Sequence, residues 1–194
     1  GIKKEITIGN VPIGEYDIVY ENDDATDACR ELRYYIRQTG KDYLDVIASK
    51  EAGDNRITLV IDSNLEAGKK EITITEGQVR IAASDKASLL KGTYLFVNTY
   101  LGWMFAGEER EQISGMSNVI RIPENVQITQ PWIAEREAII TLWNVNFSRG
   151  FYLNGDVSLE NNVMDFSEAQ LYEYVKMLKH CGYTGIQVTE MCSA

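Results

Sequence analysis

Histidine occurs once in the 194 residues, as His180, which leaves little room for a histidine-based metal site or a Ser-His-Asp triad. Cysteine occurs three times, at Cys29, Cys181 and Cys192, too sparsely for a disulfide framework or a paired-cysteine metal knuckle. No apolar run approaches the ~20 residues that span a bilayer, so no membrane span is expected. The start GIKKEITIG reads as a strand instead of a secretory leader, so any targeting segment is expected to be removed or never present. Positive charge is in deficit: Lys+Arg number 19 against 29 Asp+Glu, a formal net charge of -10. A nucleic-acid binder would carry a basic stripe, so that class is set aside. The nucleophile elbow, phosphate-binding loop, zincin helix and dinucleotide fingerprint are all missing, and neither a metal nor a cofactor is expected. What remains is an ordinary folded composition, 44% apolar and 25% charged, long enough for one or two domains with a real core.

The first half alternates strand and helix signals. EITI (5–8) and YDIVY (16–20) are β-branched and aromatic, separated by turn residues Gly9, Asn10, Pro12 and Gly14. Ala25, Ala28, Cys29, Leu32 and Ile36 then fall on one helical face. Asp23, Asp24 and Asp27 stand where side-chain oxygens would cap its first turn, and Gly40 stands where a left-handed residue would end it. YLDVIA (43–48) and ITLVI (57–61) read as strands, the second so uniformly apolar that it belongs in the middle of a sheet. EITIT and QVRIA flank Glu76-Gly77, which predicts a two-residue hairpin. A second helix follows, with Ser84 or Asp85 as cap and Ala87, Leu90, Tyr94, Val97 and Leu101 as its apolar stripe; Gly92 inside it predicts close packing on the sheet. Signals weaken after Trp103, with short strands at NVIRI (118–122) and NVQIT (125–129) and a linker at Pro131-Trp132. Beyond it, AIITLW (138–143), a long polar loop, a helix opened by the capping box Asp165–Glu168, and TGIQVTEM (184–191) read as the opening step of a β/α repeat.

Little in this chain has chemical character. His180 and Cys181 are adjacent, and adjacent residues on a helix point in different directions, so a packed thiol is the better reading than a nucleophile–base pair. The acids at 23, 24 and 27 lack the glycine-centred loop and distal glutamate of a calcium site, and helix capping accounts for them. The stretch 132–152 is different. Trp132, Trp143, Phe147, Phe151 and Tyr152 crowd together with Asn144, Asn146 and Arg149, and Asn154 lies just beyond. Flat rings with amide and guanidinium donors suit sugars, because rings stack on C–H faces and planar donors pair with hydroxyls or a carboxylate. The same rings would serve equally as the core of a second unit, and Arg149 as a surface ion pair.

The order of these elements resembles a known arrangement. From about Ile18 to Glu109 the chain looks like the small α/β domain that precedes the catalytic barrel in α-glucuronidases and β-N-acetylhexosaminidases. The resemblance rests on a helix like DACRELRYYIRQTG, a buried strand like ITLVIDS, a hairpin, and a helix ending like KGTYLFVNTYLGWMFAGEE. ITLWNVNFSRGFYLNGDVSLEN (140–161) is similar to the loop that opens the α-glucuronidase barrel, and QLYEYVKMLKHCGYTGIQVTEM to the helix and strand after it. The resemblance implies sugar-site positions for Trp143, Asn144, Arg149, Gly150 and Asn154. Between Trp143 and Arg149 the chain reads NVNFS where that family has an acidic run, so glucuronate specificity does not carry over.

The expected fold class is therefore α/β (α+β): a mixed sheet carrying two helices over residues 1–130, then a linker and the first elements of a truncated (β/α)8 barrel over 131–194. A whole barrel takes roughly 200–250 residues, and the two carboxylates of a glycosidase would lie on later strands. No catalytic residue is expected in this chain. The resemblance implies the non-catalytic N-terminal portion of a secreted, periplasmic or cell-surface glycoside hydrolase, inactive alone, with carbohydrate as its partner and a homodimer formed through exposed barrel elements. The rivals are a stand-alone carbohydrate-binding module and a structural or partner-binding domain without ligand.

Overall fold

The computed structural model describes residues 2–106, 109–112, 117–130, 137–141, 172, 175, 176, 178 and 185–189. The chain divides into two compact units, Gly1–Met104 with Arg110–Ala134, and Phe105–Glu109 with Glu135–Ala194.

The first unit is built on a six-stranded mixed sheet. Its strands are β3 (Asp17–Tyr20), β4 (Val46–Ala48), β5 (Arg56–Ile61), β6 (Lys70–Thr75), β7 (Gln78–Ala83) and β11 (Val126–Gln130), in the order β11-β6-β7-β5-β3-β4. The uniformly apolar β5 runs parallel to β7 on one side and to β3 on the other, an interior place that its lack of a polar face anticipates. Antiparallel β6 and β7 form the hairpin, Thr75 facing Gln78, with Gly77 at φ 71° in the turn. A smaller sheet joins β1 (Glu5–Ile8), β2 (Val11–Pro12) and β10 (Val119–Ile122) in the order β10-β1-β2. Its parallel register sets Ile6 beside Ile120 and Ile8 beside Ile122, and all four are buried. Two further strands, β8 (Trp103–Ala106) and β9 (Glu109–Gln112), pair with each other. β2, β8 and β9 carry no alternating pattern long enough to predict them from sequence.

Two helices, α1 (Thr26–Thr39) and α2 (Lys86–Leu101), pack on the large sheet and on each other. The apolar stripe read for α1 is correct: Ala25, Ala28, Cys29, Leu32 and Ile36 are all buried. Its ends differ from expectation. No acidic side chain caps the first turn, because a 3-10 turn over Asp23–Ala25 leads directly into the helix and Thr26 Oγ1 donates to the Asp23 carbonyl at 2.8 Å. Gly40 is extended, at φ -106°, instead of left-handed. Glycine is needed there for room: a Cβ would lie 2.9 Å from Ile6 Cδ1 and 3.3 Å from the Ile36 carbonyl oxygen. Lys4 pairs with Gly40 as a parallel bridge and its N–H donates to the Thr39 carbonyl, which brings the N-terminal segment onto the end of α1.

In α2 the cap is Asp85, one of the two residues expected there. Asp85 accepts from the Ser88 N–H at 2.8 Å, and Gly92 sits where a Cβ would meet Ile81 Cγ2 at 3.3 Å. The predicted stripe is only half right. Tyr94, Val97 and Leu101 are buried, but Leu90 is half-buried and Ala87 exposed, while Leu89, Thr93 and Phe96 are wholly buried. The reason is that α2 touches α1, β5, β6, β7 and also β10, so it is enclosed on more than one side and has no single buried face.

In the second unit, β12 (Glu137–Thr141) and β13 (Gly185–Thr189) pair in parallel, Glu137 facing Gly185 and Thr141 facing Thr189. Tyr172, Val175, Lys176 and Leu178, between them in the chain, are helical. Parallel neighbours need a crossover connection, and a helix supplies it. Leu178 is buried and Val175 exposed.

Candidate functional site

The residues singled out as a sugar site, Trp143, Asn144, Arg149 and Asn154, lie outside the described residues, as do Gly150 and the other rings of 132–152, the capping box and the His180–Cys181 pair. What the structure does display is how the conspicuous residues of the first unit are used.

The aromatic groups gather where α1 ends. Tyr35, fully buried, makes edge contacts with Tyr34 at 5.1 Å, with Tyr94 of α2 at 6.3 Å and with Trp103 at 5.3 Å between ring centroids. Edge-to-face pairs of this kind stabilise by about 0.5–1.5 kcal/mol each beyond burial. Their polar atoms are satisfied within the fold: Trp103 Nε1 donates to Thr39 Oγ1 at 2.8 Å, and Tyr94 Oη donates to Glu31 Oε2 at 3.0 Å. Here the Leu-Gly-Trp phrase shows its physical purpose. Leu101 closes α2, Gly102 turns at φ 70°, and Trp103 is returned onto the last turn of α1, with Asn98 Nδ2 donating to its carbonyl. The cluster joins the two helices, and the Trp103 and Tyr94 donors are used within it.

The acids are likewise occupied. Asp27 pairs with Arg30 at 3.4 Å and with Lys86 at 2.9 Å, tying the start of α1 to the start of α2, and the partnership holds the Lys86 ammonium above its ordinary pKa. Asp62 accepts from the Asn64 N–H and from Arg80, which lowers its carboxyl. Cys29 is fully buried against the Val19 carbonyl; burial pushes its thiol up to about 12, which excludes it as a thiolate nucleophile. Tyr16 is buried with its hydroxyl unpartnered among the described residues; burial first, then Glu124 and Glu15, raises its phenol. Among the described residues no group of three His, Cys, Asp or Glu side chains could hold a metal ion, and no helix is long and apolar enough to cross a membrane.

No protein-family model matches the sequence, and no curated protein matches it. Solved structures do. Over 89% of its length the chain superposes, at TM-score 0.54 and 13% identity, on a GH138 enzyme targeting pectin rhamnogalacturonan II. Over 91% it superposes, at TM-score 0.50 and 12% identity, on a family GH115 4-O-methyl-α-glucuronidase with specificity for decorated arabinogalactans. The chain spans 18% of the first enzyme and 25% of the second. At such identities the likeness is one of fold: a mixed α+β arrangement, two helices on mixed sheets, of the kind found in glycoside hydrolases.

Proposed function

We propose that the chain is the N-terminal, non-catalytic portion of a glycoside hydrolase acting on poly- or oligosaccharides. Residues 1–130 would form the accessory domain that supports a catalytic barrel, and 131–194 the linker and first barrel elements. The observation that carries this reading is the superposition of nearly the whole chain on about a fifth to a quarter of two glycoside hydrolases. The parallel β12–β13 pair with helical residues between them supports it, since a β/α barrel repeats that unit. In this reading the parent is secreted, periplasmic or on the cell surface, and its acid and nucleophile come from later strands. Trp143, Asn144, Arg149 and Asn154 line one rim of the sugar site, and β12 and β13 in isolation pair with a second copy.

Two measurements test it. The source gene, read across codon 194, should continue in frame through further β/α units. The purified chain should release no sugar from any aryl-glycoside. Turnover that scales with protein and survives repurification, or a stop codon after Ala194, overturns the reading. The aromatic-rich stretch 132–152 favours the second reading, a self-contained carbohydrate-binding module. In that case Trp143→Ala and Arg149→Ala would abolish polysaccharide binding while leaving the fold intact.

A further inference from the structure

In the first unit, exposed rings and two guanidinium groups meet at the C-terminal part of α1. Arg33 and Arg37, one helical turn apart, both stand over the ring of Tyr43, their guanidinium carbons 5.3 and 5.2 Å from its centroid. Tyr43 is 54% exposed, and Tyr34, on the same turns of α1, is 46% exposed. Lys3 Nζ donates to the carbonyls of Arg37 and Gln38 and so adds a third cation at this end of the helix.

Several nearby carboxylates are directed elsewhere. Glu5 pairs with Lys41 at 3.5 Å, Asp27 with Arg30 and Lys86, and Glu31 accepts from Tyr94. Asp42 lies against Gly14, its Oδ1 2.6 Å from where a Cβ there would stand. Among the described residues neither Arg33 nor Arg37 reaches a carboxylate. Like charges at this spacing repel by a few tenths of a kcal/mol, and the negative end of the helix dipole offsets only part of that. A chain with net charge -10 nevertheless keeps them together over a half-open ring.

We infer that Arg33, Arg37 and Tyr43 form a surface site for a carboxylate-bearing sugar unit of a glycan. The planar guanidinium forks pair with the carboxylate, and the exposed aromatic surface takes a C–H face of the ring. Two free guanidiniums and one ring match a single acidic sugar, whereas a nucleic-acid strand presents a charge at every residue to a protein that is acidic overall. The choice of a sugar over another carboxylate rests on the proposed function; the choice of an anion does not. Its residues are other than those of the 132–152 stretch, and it would hold substrate to the accessory domain instead of processing it.

The experiment is calorimetric titration of the 194-residue chain with an oligomer of galacturonic acid, alongside the same oligomer after carboxyl reduction, polyglutamate, and a single-stranded oligonucleotide. The expected result is saturable binding to the uronate oligomer alone. It should weaken at least tenfold on carboxyl reduction, in the double variant Arg33→Gln/Arg37→Gln and in Tyr43→Ala. Arg37 and Tyr43 are exposed and Arg33 half-buried, and circular dichroism checks that the variants stay folded. Absence of binding, or binding indifferent to these changes, overturns the inference. Equal binding of polyglutamate or of the oligonucleotide overturns the sugar assignment. The two proposals fail separately: a gene that continues into a barrel with a silent Arg33–Tyr43 patch loses only this one, and a stop after Ala194 with uronate binding intact loses only the other.

Discussion

The two helices lie on the same sheet and touch each other, and each is followed by a glycine, yet they are held in place by different physics. α1 is amphipathic: Ala28, Cys29, Leu32, Tyr35 and Ile36 face inward and Arg30, Tyr34, Arg37 and Gln38 face water. It starts without a side-chain cap and stops where Ile6 leaves no space for a Cβ. α2 is enclosed by two sheets and a helix, starts on the Asp85 carboxylate and stops at the left-handed Gly102. Tertiary contact therefore terminates the first helix, and local backbone chemistry delimits the second. Residues of one type in matching places answer to unrelated forces.

The largest test of that contrast is the back of each helix. Phe96, fully buried in α2 and tilted against Tyr100 at 5.1 Å, should cost about 3–5 kcal/mol when changed to alanine. Gln38→Ala on the exposed side of α1 should stay within about ±0.5 kcal/mol. Urea denaturation of the two variants measures both, and a Phe96→Ala cost near that of Gln38→Ala would mean α2 is not enclosed as described.

The two glycines give a finer test. Gly40→Ala should destabilise by about 1–3 kcal/mol through overpacking. Ile6→Val should restore part of that loss, because it removes Cδ1 and leaves Ile6 Cγ1 at an ordinary 3.5 Å from the new Cβ. Gly102→Ala should cost about 1–2 kcal/mol from the left-handed backbone alone, and Ile6→Val should not change it. A double-mutant cycle reads the difference directly. Rescue of both glycine variants, or of neither, would erase the distinction.

Much of this architecture was legible because it depends on short-range patterning. The α1 stripe, the apolar β5, the Glu76-Gly77 hairpin and the Asp85 cap are each decided within a few residues of sequence, and each stands where the pattern places it. What escaped was decided at long range. The enclosure of α2 includes β10, which lies beyond it in the chain, and the lack of room for a side chain at Gly40 depends on Ile6. β2, β8 and β9 span only two to four residues and exist through their partners. The basic patch at Tyr43 escaped for the same reason: Tyr43 lies beyond the helix in sequence, and only the fold brings its ring under Arg33 and Arg37. For the residues expected at a sugar site, Trp143 to Asn154, the sequence supplied only a resemblance, and they lie outside the described residues.

The smallest effect, and the one that separates the helix starts most cleanly, is in pH. Asp85 is partly desolvated, which alone would raise its carboxyl. The Ser88 N–H and the hydroxyls of Ser84 and Ser88 outweigh that and hold its pKa below the usual carboxylate value. A carboxylate with a lowered folded pKa contributes stability that is present above its unfolded value, about 3.9. That contribution is lost as pH falls through the folded value. Asp85→Ala should therefore cost about 1 kcal/mol at neutral pH, the ordinary worth of an N-cap. The gap in thermal midpoint between the variant and the parent should narrow once pH drops below about 4, as the parent's carboxyl takes up its proton and the ionised cap is lost. At the start of α1, Asp23→Ala should leave the midpoint nearly unchanged at either pH, because there the backbone carbonyl of Asp23 makes the contact and alanine keeps it. A gap at Asp85 that stays constant from pH 7 to 3 would show that the cap acts through shape instead of charge, and the two helix starts would then differ in geometry alone.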